Sequence, residues 1–206
     1  MPVKAKAAGQ HHHGALRRAL LDAVAEIVLE AGPEAVTLRE CARRAGVSHS
    51  AVTPHFGDKR GLLTAFARES FERLRAAMEA ETAALPDDAT PQARLAATGR
   101  GYIAFARTNP GHFRLMFRAD LLNPADPELC AAEHAAFVPL AQAMAAVAPG
   151  AEARAMRARL ALAWSAVHGF SALRAEIPDS PLWNAEAQAQ EVADDLLALV
   201  AAACSG

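Results

Sequence analysis

The chain has 206 residues, enough to bury a core and to form one large helical domain or a small domain joined to a larger one. Ala, Leu and Arg are abundant, which favours helix because unbranched side chains lose little rotamer freedom there. The formal net charge of -2 and the lack of an apolar run near the roughly 20 residues of a membrane span exclude a strongly basic chain and a transmembrane protein. We expect an all-α cytoplasmic protein with no membrane contact.

Charge is distributed unevenly along the chain. Residues 1–63 hold nine Lys or Arg against six Asp or Glu, whereas the remainder holds twelve against seventeen. The N-terminal third is therefore the part that tolerates a polyanion.

The three cysteines, Cys41, Cys130 and Cys204, are far apart and form no CxxC or CxxxH pattern. They predict neither a disulfide framework nor a zinc site, and we interpret them as small buried side chains, the alternative being a redox sensor. The sequence also contains no nucleophile–base motif, no Gly-rich phosphate loop, no HExxH and no carboxylate cluster. We therefore expect no enzymatic activity, no cofactor and no metal.

Residues 1–14 are polar and lack apolar periodicity, so we expect a flexible N-terminal arm whose Lys4 and Lys6 can touch phosphates. We assign no metal site to the histidines at 11–13, because the run is short and continues directly into a helix. That first helix ends at Gly32-Pro33. Its apolar residues recur at three- and four-residue spacings: Leu16, Leu20, Val24, Ile27 and Val28.

The segment TLRECARRAGVSHSAVTPHF predicts two short helices separated by a turn. Thr37 is a good N-cap with Glu40 three residues on, a capping-box pattern, and Gly46 stops the helix that they open. Ser48 is a second N-cap, and a further helix runs from His49 to about His55. Two short helices around a Gly predict a helix-turn-helix.

Across residues 16–63 these elements resemble the DNA-binding domain of the tetracycline-repressor (TetR/AcrR) family. The resemblance is carried by ALRRALLDAVAEIVLEAG, TLRECARRAGVS, His55-Phe56 and the DKRGLL of residues 58–63. The lead-in HHHGALRRALL and the later WSAVHGF, Trp164 to Phe170, resemble the branch whose C-terminal domain bears a Trp-His-Gly motif. The resemblance implies about nine helices, with an N-terminal three-helix helix-turn-helix DNA-binding domain at 15–63 and a C-terminal helical ligand-binding and dimerisation domain at 64–206.

In a helix-turn-helix the second helix enters the major groove with its N-terminus leading, while flanking groups hold phosphates. We therefore expect His49, Ser50 and Val52 to meet base edges. Arg39 is a candidate for either role. The residues expected to hold phosphates are Thr37, Ser48, Thr53, His55 and Lys59.

The sequence departs from the family at Thr53-Pro54, where an aromatic followed by a non-proline residue is usual. Pro54 removes a helix N–H and clashes one turn back, so we expect a recognition helix that is shortened or bent near Ser50.

The remaining sequence predicts a long helix from about Lys59 to Leu85 and further helices separated by Pro- and Asn-containing breaks. Aromatic and Met residues concentrate on the middle helices, which predicts either an effector cavity or a plain hydrophobic core. Trp164 and His168 are four residues apart and therefore share a helix face. The residues we expect to bind an effector are Phe105, Phe113, Met116, Phe117, Phe137, Met144, Trp164 and His168.

The last two helices have broad Ala, Leu and Val faces of the kind that pack across a two-fold axis, although the same faces could close the core of a single chain. The residues expected at a homodimer interface are Leu160, Val167, Phe170, Val192, Leu196, Leu199 and Val200. Two recognition helices about one DNA turn apart would read a palindromic operator.

We therefore predict a transcriptional regulator, a repressor in the usual family pattern, whose affinity for double-stranded DNA is controlled by a small, mostly apolar effector. The alternative is a helical protein-interaction module that keeps the fold without specific DNA binding. Salt-dependent binding to duplex DNA separates the two, because phosphate contacts release counterions.

Overall fold

Nine α-helices make up most of the chain in the computed structural model, which describes the backbone of residues 8–205 and side chains from residue 15 onward. The described part contains no β-strand, and it has two short 3₁₀ turns at Pro33–Ala35 and His49–Ala51. The predicted all-α fold with about nine helices is confirmed. The helices are α1 Ala8–Ala31, α2 Leu38–Arg44, α3 Thr53–Phe56, α4 Lys59–Ala83, α5 Pro91–Thr108, α6 Pro110–Met116, α7 Pro127–Val147, α8 Ala153–Glu176 and α9 Glu186–Cys204.

The chain divides into two compact units. The first unit holds the described residues up to Ser70 together with Gly111–Cys130, and the second holds Phe71–Pro110 and the described residues from Ala131 onward. The segment 111–130, which we expected in the C-terminal domain, therefore packs with the N-terminal helices. Periodicity predicts that a segment is helical but carries no information on which distant partner covers it.

Helix α1 begins at Ala8 in the structure, so the backbone of residues 8–14, which we expected in the N-terminal arm, is helical. No proline interrupts this stretch, so its backbone can continue the helix that begins the first unit. Residues 1–7, with Lys4 and Lys6, lie outside the described residues.

The apolar stripe predicted for α1 is part of the core of the first unit. Four of its five residues are buried, namely Leu20, Val24, Ile27 and Val28. The helix ends at Ala31, as expected. Helix α6 lies against α1 at Gly111, where an added Cβ would stand 2.6 Å from the carbonyl oxygen of Ala25. Only glycine permits so close an approach of two backbones.

The loop after α6 is fixed to the first unit by polar contacts. Arg118 pairs with Glu34 at 2.7 Å, and the backbone N–H of Asn123 donates to the Thr64 hydroxyl on α4 at 2.9 Å. Thr64 is buried and donates its own proton to the carbonyl of Arg60, so the bond from Asn123 fixes the loop at a hydroxyl that water does not reach.

The second unit is built around α5, α7, α8 and α9. Its main core cluster consists of small and aliphatic side chains, Leu95, Ala143, Met144, Val147, Ala163, Val200, Ala201 and Cys204. A second cluster joins α8 to α9 through Phe170, Trp183, Ala189 and Ala193. By length and hydropathy alone α7 would be long enough to cross a membrane, but its Met144 and Val147 are part of this core.

Candidate nucleic-acid interface

The start of α2 is fixed by the cap that the sequence predicts. The Thr37 hydroxyl accepts a hydrogen bond from the backbone N–H of Glu40 at 3.1 Å. The Glu40 carboxylate does not complete the expected capping box but accepts hydrogen bonds from Arg43, at 2.8 and 2.5 Å, and from Arg44 at 2.9 Å. These two guanidinium groups lower the pKa of Glu40 to about 2.

Arg44 also holds α2 against α1. Its guanidinium donates to both carboxylate oxygens of Glu30, at 2.9 and 2.5 Å, and lies 3.5 Å from Glu26. The hydrogen bonds from Arg44 lower the pKa of Glu30. A bidentate pair of this kind fixes orientation as well as distance.

The turn after α2 has the geometry that the sequence predicts from Gly46. This glycine has φ +67°, its N–H donates to the carbonyl of Arg43 at 3.2 Å, and the N–H of Val47 donates to the carbonyl of Ala42 at 2.9 Å. The pair of bonds is a Schellman motif, which needs a residue that tolerates positive φ. It reverses the chain and leads it directly into the recognition segment, residues 48–56.

The recognition segment is not one helix. A 3₁₀ turn, His49–Ala51, is followed by the four-residue α3, and the change falls at Val52 rather than near Ser50 as expected. Pro54 lies in the first turn of α3, where its missing N–H has no helical partner to lose. The recognition helix is shortened as predicted, but the break lies at Val52, two residues further along the chain than expected. The Ser48 hydroxyl lies 3.0 Å from that of Ser50 and makes no cap bond, so the predicted side-chain cap is absent.

The structure brings most of the predicted DNA-binding side chains to the surface of α2 and the recognition segment. Val52 is the exception, because it is 0 % exposed and belongs to the core, so its side chain cannot meet a base edge. His55 and Lys59 are half-buried. The exposed residues are Thr37, Arg39, Ser48, His49, Ser50 and Thr53.

Two contacts position the end of the recognition segment. The Lys59 ammonium donates to the backbone carbonyl of Glu34 at 3.1 Å, and the Arg17 guanidinium lies 5.7 Å from the centre of the Phe56 ring. Sequence reasoning missed Arg17, which lies one turn after the predicted arm and gives no motif signal. It also missed Asp58, whose carboxylate accepts from the N–H of Gly61 at 2.8 Å and so caps α4.

The residues expected to bind an effector are divided between the two units. Phe113, Met116 and Phe117 belong to the first unit, while the other five belong to the second. Within the second unit the Trp164 ring packs edge-on against Phe137 and His168, with ring centres 6.4 Å apart in both pairs. The Tyr102 hydroxyl lies 2.8 Å from Nδ1 of His168. Phe105 and Met144 are buried.

Burial shifts the pKa values of this pair. It lowers the pKa of His168 and raises that of the Tyr102 hydroxyl, because a low dielectric disfavours the charged form of each. The neutral Tyr102 can donate to an unprotonated His168, so the half-buried histidine has a hydrogen-bond partner within the chain.

The second unit also contains a cavity of about 340 Å³ that the sequence did not predict. It is lined by α5, α8, α9 and the end of α4, and its walls include Phe170 but none of the eight residues expected to bind an effector. Three arginines and two glutamates lie on those walls. The site is therefore more polar than the aromatic cavity that we expected.

Of the seven residues expected at the dimer interface, Val167, Phe170 and Val200 are buried inside the chain, which leaves little of them for a partner. Leu160, Val192 and Leu196 are half-buried, and Leu199 is 69 % exposed. Other large apolar side chains of α8 are exposed instead, namely Leu162, Trp164 and Leu173.

Cys41 and Cys204 are buried as expected, and Cys130 is half-buried. Burial raises the pKa of the Cys41 thiol to about 11, which makes it unreactive. Among the described residues no group of three or more His, Cys, Asp or Glu could hold a metal ion.

A capped α2, a glycine turn and a short, exposed recognition segment held on α1 define a helix-turn-helix protein. The chain belongs to the tetR family of bacterial regulatory proteins: residues 20–66 match the family model of that description, and residues 95–200 match the tetracyclin repressor-like C-terminal domain. The family is one of transcriptional regulators and not of enzymes. The C-terminal match does not confirm the Trp-His-Gly branch.

Curated relatives match over less than half of their length. The HTH-type transcriptional regulator BetI of Klebsiella pneumoniae (strain 342) is 38% identical over 86 residues, which are 42% of this chain and 44% of that protein. BetI of Escherichia coli (strain K12 / DH10B) matches with the same identity and the same shares.

Solved structures match over nearly the whole chain. A protein of unknown function from Rhodococcus sp. RHA1 has 27% identity and a TM-score of 0.73, covering 96% of this chain and 97% of that one. The TetR-family regulator PfmR from Thermus thermophilus has 23% identity and a TM-score of 0.64, covering 89% and 97%. LfrR from Mycobacterium smegmatis, solved in complex with proflavine, has 19% identity and a TM-score of 0.62, covering 92% and 96%. The last two matches are evidence of a shared fold alone.

Proposed function

We propose that this protein is a homodimeric repressor that binds a palindromic operator in the cytoplasm and releases it when a small effector occupies the second unit. The observation that carries the proposal is the exposure of short polar side chains at the start of the recognition segment, next to the Schellman turn. This is the end of a helix-turn-helix that leads into the major groove.

His49 and Ser50 are the candidates for base edges. Both are exposed and short, which suits a close approach of the backbone to the groove. Buried Val52 has a different role from the one expected of it, because it anchors the segment from beneath. Neither candidate is an Arg or Asn that could make a bidentate contact with a base. The recognition segment therefore reads the DNA sequence through single hydrogen bonds and through the complementary shape of its surface and the groove.

The candidates for binding DNA phosphates are Thr37, Thr53 and Lys59, together with Ser48 and His55. The Thr37 hydroxyl accepts a bond from Glu40, so its own proton stays available for a phosphate oxygen. Exposed Arg39 serves either role.

A dimer interface of revised composition accompanies this proposal. Leu162, Ala166, Gly169 and Leu173 recur at three- and four-residue spacings on one face of α8, and all four are exposed or half-buried. Leu199 is a further exposed apolar side chain, on α9. Apolar side chains left exposed on two long helices favour burial against a second copy.

Control by an effector requires a path from the second unit to the first. Helix α4 begins in the first unit and ends in the second, and the chain passes between the units again on either side of 111–130. A ligand that favours one arrangement of the second unit can therefore bias the DNA-binding unit through three covalent connections. The proflavine complex of LfrR supports a small-molecule site in a protein of this fold.

The Trp-His-Gly branch stays a prediction that rests on Trp164 to Phe170.

Substitutions on the two kinds of DNA contact test the proposal. His49→Ala and Ser50→Ala should lower affinity for the operator and leave binding to unrelated duplex unchanged, because they remove base contacts. Lys59→Gln should weaken both about equally and reduce the salt slope by about 1 per chain. Arg154→Gln, an exposed change on α8, is the control. Equal affinities of all four variants would contradict the proposal and favour the protein-interaction module.

A further inference from the structure

The cavity of about 340 Å³ in the second unit has the size of a small-molecule site, which typically spans about 300–1,000 Å³. Apolar walls come from three helices, with Ile103 and Ala104 on α5, Phe170 on α8, and Ala193 and Leu197 on α9. These side chains would cover the body of a ligand of mostly hydrocarbon character.

Ser171 gives this cavity an unsatisfied polar group. The residue is 5 % exposed, lines the cavity, and its buried hydroxyl has no hydrogen-bond partner among the described residues. A buried hydroxyl without a partner costs about 1–3 kcal/mol, so native proteins keep few of them without a reason.

Other helical Ser and Thr residues of this chain avoid that cost. Ser70 donates to the carbonyl of Phe66, and Thr98 to that of Arg94, each four residues back along its helix. Buried Thr64 and half-buried Thr82 do the same. Ser171 does not make the equivalent bond although its position in α8 offers one. Its hydroxyl is thus unpaired beside the cavity, and because the oxygen itself is buried, it reaches a ligand after a change of the Ser171 rotamer.

Charge around the cavity favours an anion. Three guanidinium groups, those of Arg100, Arg107 and Arg174, face two carboxylates, those of Glu81 and Glu186. Arg174 is well paired, 2.8 Å from Glu186 and 5.4 Å from the centre of the Trp183 ring.

Two of the guanidinium groups are only loosely paired. Arg100 lies 3.6 Å from Glu81, and Arg107 lies 3.9 Å from Glu186. Both distances exceed that of a hydrogen bond, and such surface pairs contribute little. Arg100, Ala104 and Arg107 share one face of α5, because they are spaced by four and three residues. The lining therefore carries one excess positive charge, and the guanidinium N–H groups of Arg100 and Arg107 can donate to a ligand.

We propose that this cavity binds a small amphipathic monocarboxylate. Its carboxylate accepts hydrogen bonds from the Ser171 hydroxyl and from the loosely paired arginines, and its hydrocarbon or aryl body lies between Phe170 and Leu197. One negative charge balances the excess positive charge of the lining. The inference rests on the proposed function in that it makes this cavity the effector site, and it replaces the mostly apolar effector that we expected with an acidic one.

Calorimetric titration of the full-length protein tests the site without DNA. The probes are phenylbutyrate and octanoate, with phenylbutanol, octanol and phenylbutylamine as neutral and cationic analogues of the same body. We expect saturable binding of at least one acid, about tenfold tighter than its alcohol, which corresponds to about 1.4 kcal/mol, and no binding of the amine.

Variants link that binding to the cavity. Ser171→Ala should weaken binding of the acid about fivefold or more, and Ala104→Leu should abolish it by filling the space. Arg107→Gln should reduce the preference for acid over alcohol, whereas Arg154→Gln should change nothing. Thermal melts of each variant confirm that it is folded. No heat from either acid, equal affinity for acid and alcohol, or wild-type affinity in Ser171→Ala would overturn the inference.

Operator binding separates this inference from the proposed function. If an acid binds through Ser171 but leaves the affinity for operator DNA unchanged, the site stands and effector control through it fails. If operator affinity responds to the alcohols while the acids do not bind, effector control stands and the carboxylate site fails.

Discussion

The Ser70 hydroxyl lies 2.8 Å from Nδ1 of His112, so a buried hydrogen bond joins α4 to α6 within the first unit. The same hydroxyl donates its only proton to the carbonyl of Phe66 at 2.8 Å, and Nδ1–H of His112 is therefore the donor to Ser70. The His112 ring also stacks on Phe66, with ring centres 4.3 Å apart and planes 12° apart. The segment 111–130 is thus fixed to the helix that leads to the second unit.

Ser70→Ala should destabilise the protein by about 1–3 kcal/mol, because it leaves the buried N–H of His112 without this partner. Thr82→Ala is the matched control, since Thr82 is half-buried and donates to the carbonyl of Met78 on its own helix. Urea unfolding monitored by circular dichroism measures both. Equal losses in the two variants would show that the bond to α6 contributes nothing.

The hydroxyl of Thr37 has a structural role that can be separated from any contact with DNA. Thr37→Val keeps the shape and removes the cap, so we expect a loss of about 1 kcal/mol in the free energy of unfolding, while Thr37→Ser should retain most of it. Operator affinity should fall in the valine variant and largely survive in the serine variant. Full stability of the valine variant would argue against the cap.

His168 should make stability depend on pH. Burial lowers its pKa below that of an unfolded histidine, about 6.5, so the unfolded chain takes up this proton first as the pH falls. The contribution of neutral His168 is therefore complete above about pH 6.5 and is lost as the pH drops through the lower folded-state pKa. Protonation also removes the acceptor for Tyr102 if Nδ1 takes the proton.

His168→Asn places an amide, which does not titrate, near the Tyr102 hydroxyl. Urea unfolding at about pH 7.5 and about pH 5.5 should show a smaller loss of stability in this variant than in the wild type. Any fixed cost of asparagine in the helix cancels in the comparison between the two pH values. An identical loss in both proteins would exclude His168 as a source of the pH dependence.

The revised interface predicts which leucines hold the dimer. Leu173→Asp and Leu199→Asp each place a charge in a surface that we expect a second copy to bury, so both should shift the protein from dimer to monomer. Leu182→Asp is the control, because Leu182 is equally apolar and 63 % exposed but lies between α8 and α9. Analytical ultracentrifugation distinguishes the states. A monomeric wild type, or a dimer untouched by both substitutions, would refute this interface.

Local chemistry explains why the helix-turn-helix could be predicted closely. The Thr37 cap and the Gly46 turn depend on residues within about five positions of each other, and the apolar stripe of α1 depends on helical spacing alone. Pro54 signalled a shortened recognition helix for the same reason, although its tolerated place in the first turn moved the break to Val52.

Non-local packing explains what the sequence did not predict. The docking of Gly111 on Ala25 brings together residues more than 80 positions apart, and nothing near either one indicates the other. From the sequence, Phe170 could equally have faced a partner or the core, and the structure places it in the core with Trp183. The cavity depends on which helices enclose a gap, so its arginines and Ser171 appeared in the sequence as ordinary helix residues.

Selection from a random duplex library, followed by anisotropy titrations of the enriched sequence over a salt series, tests the central claim most directly. We predict an enriched inverted repeat whose half-sites lie about one helical turn apart, bound by a dimer far more tightly than unrelated DNA and more weakly as salt rises. Failure to enrich any sequence, with the same weak affinity for all duplexes, would contradict the assignment of this helix-turn-helix to operator recognition.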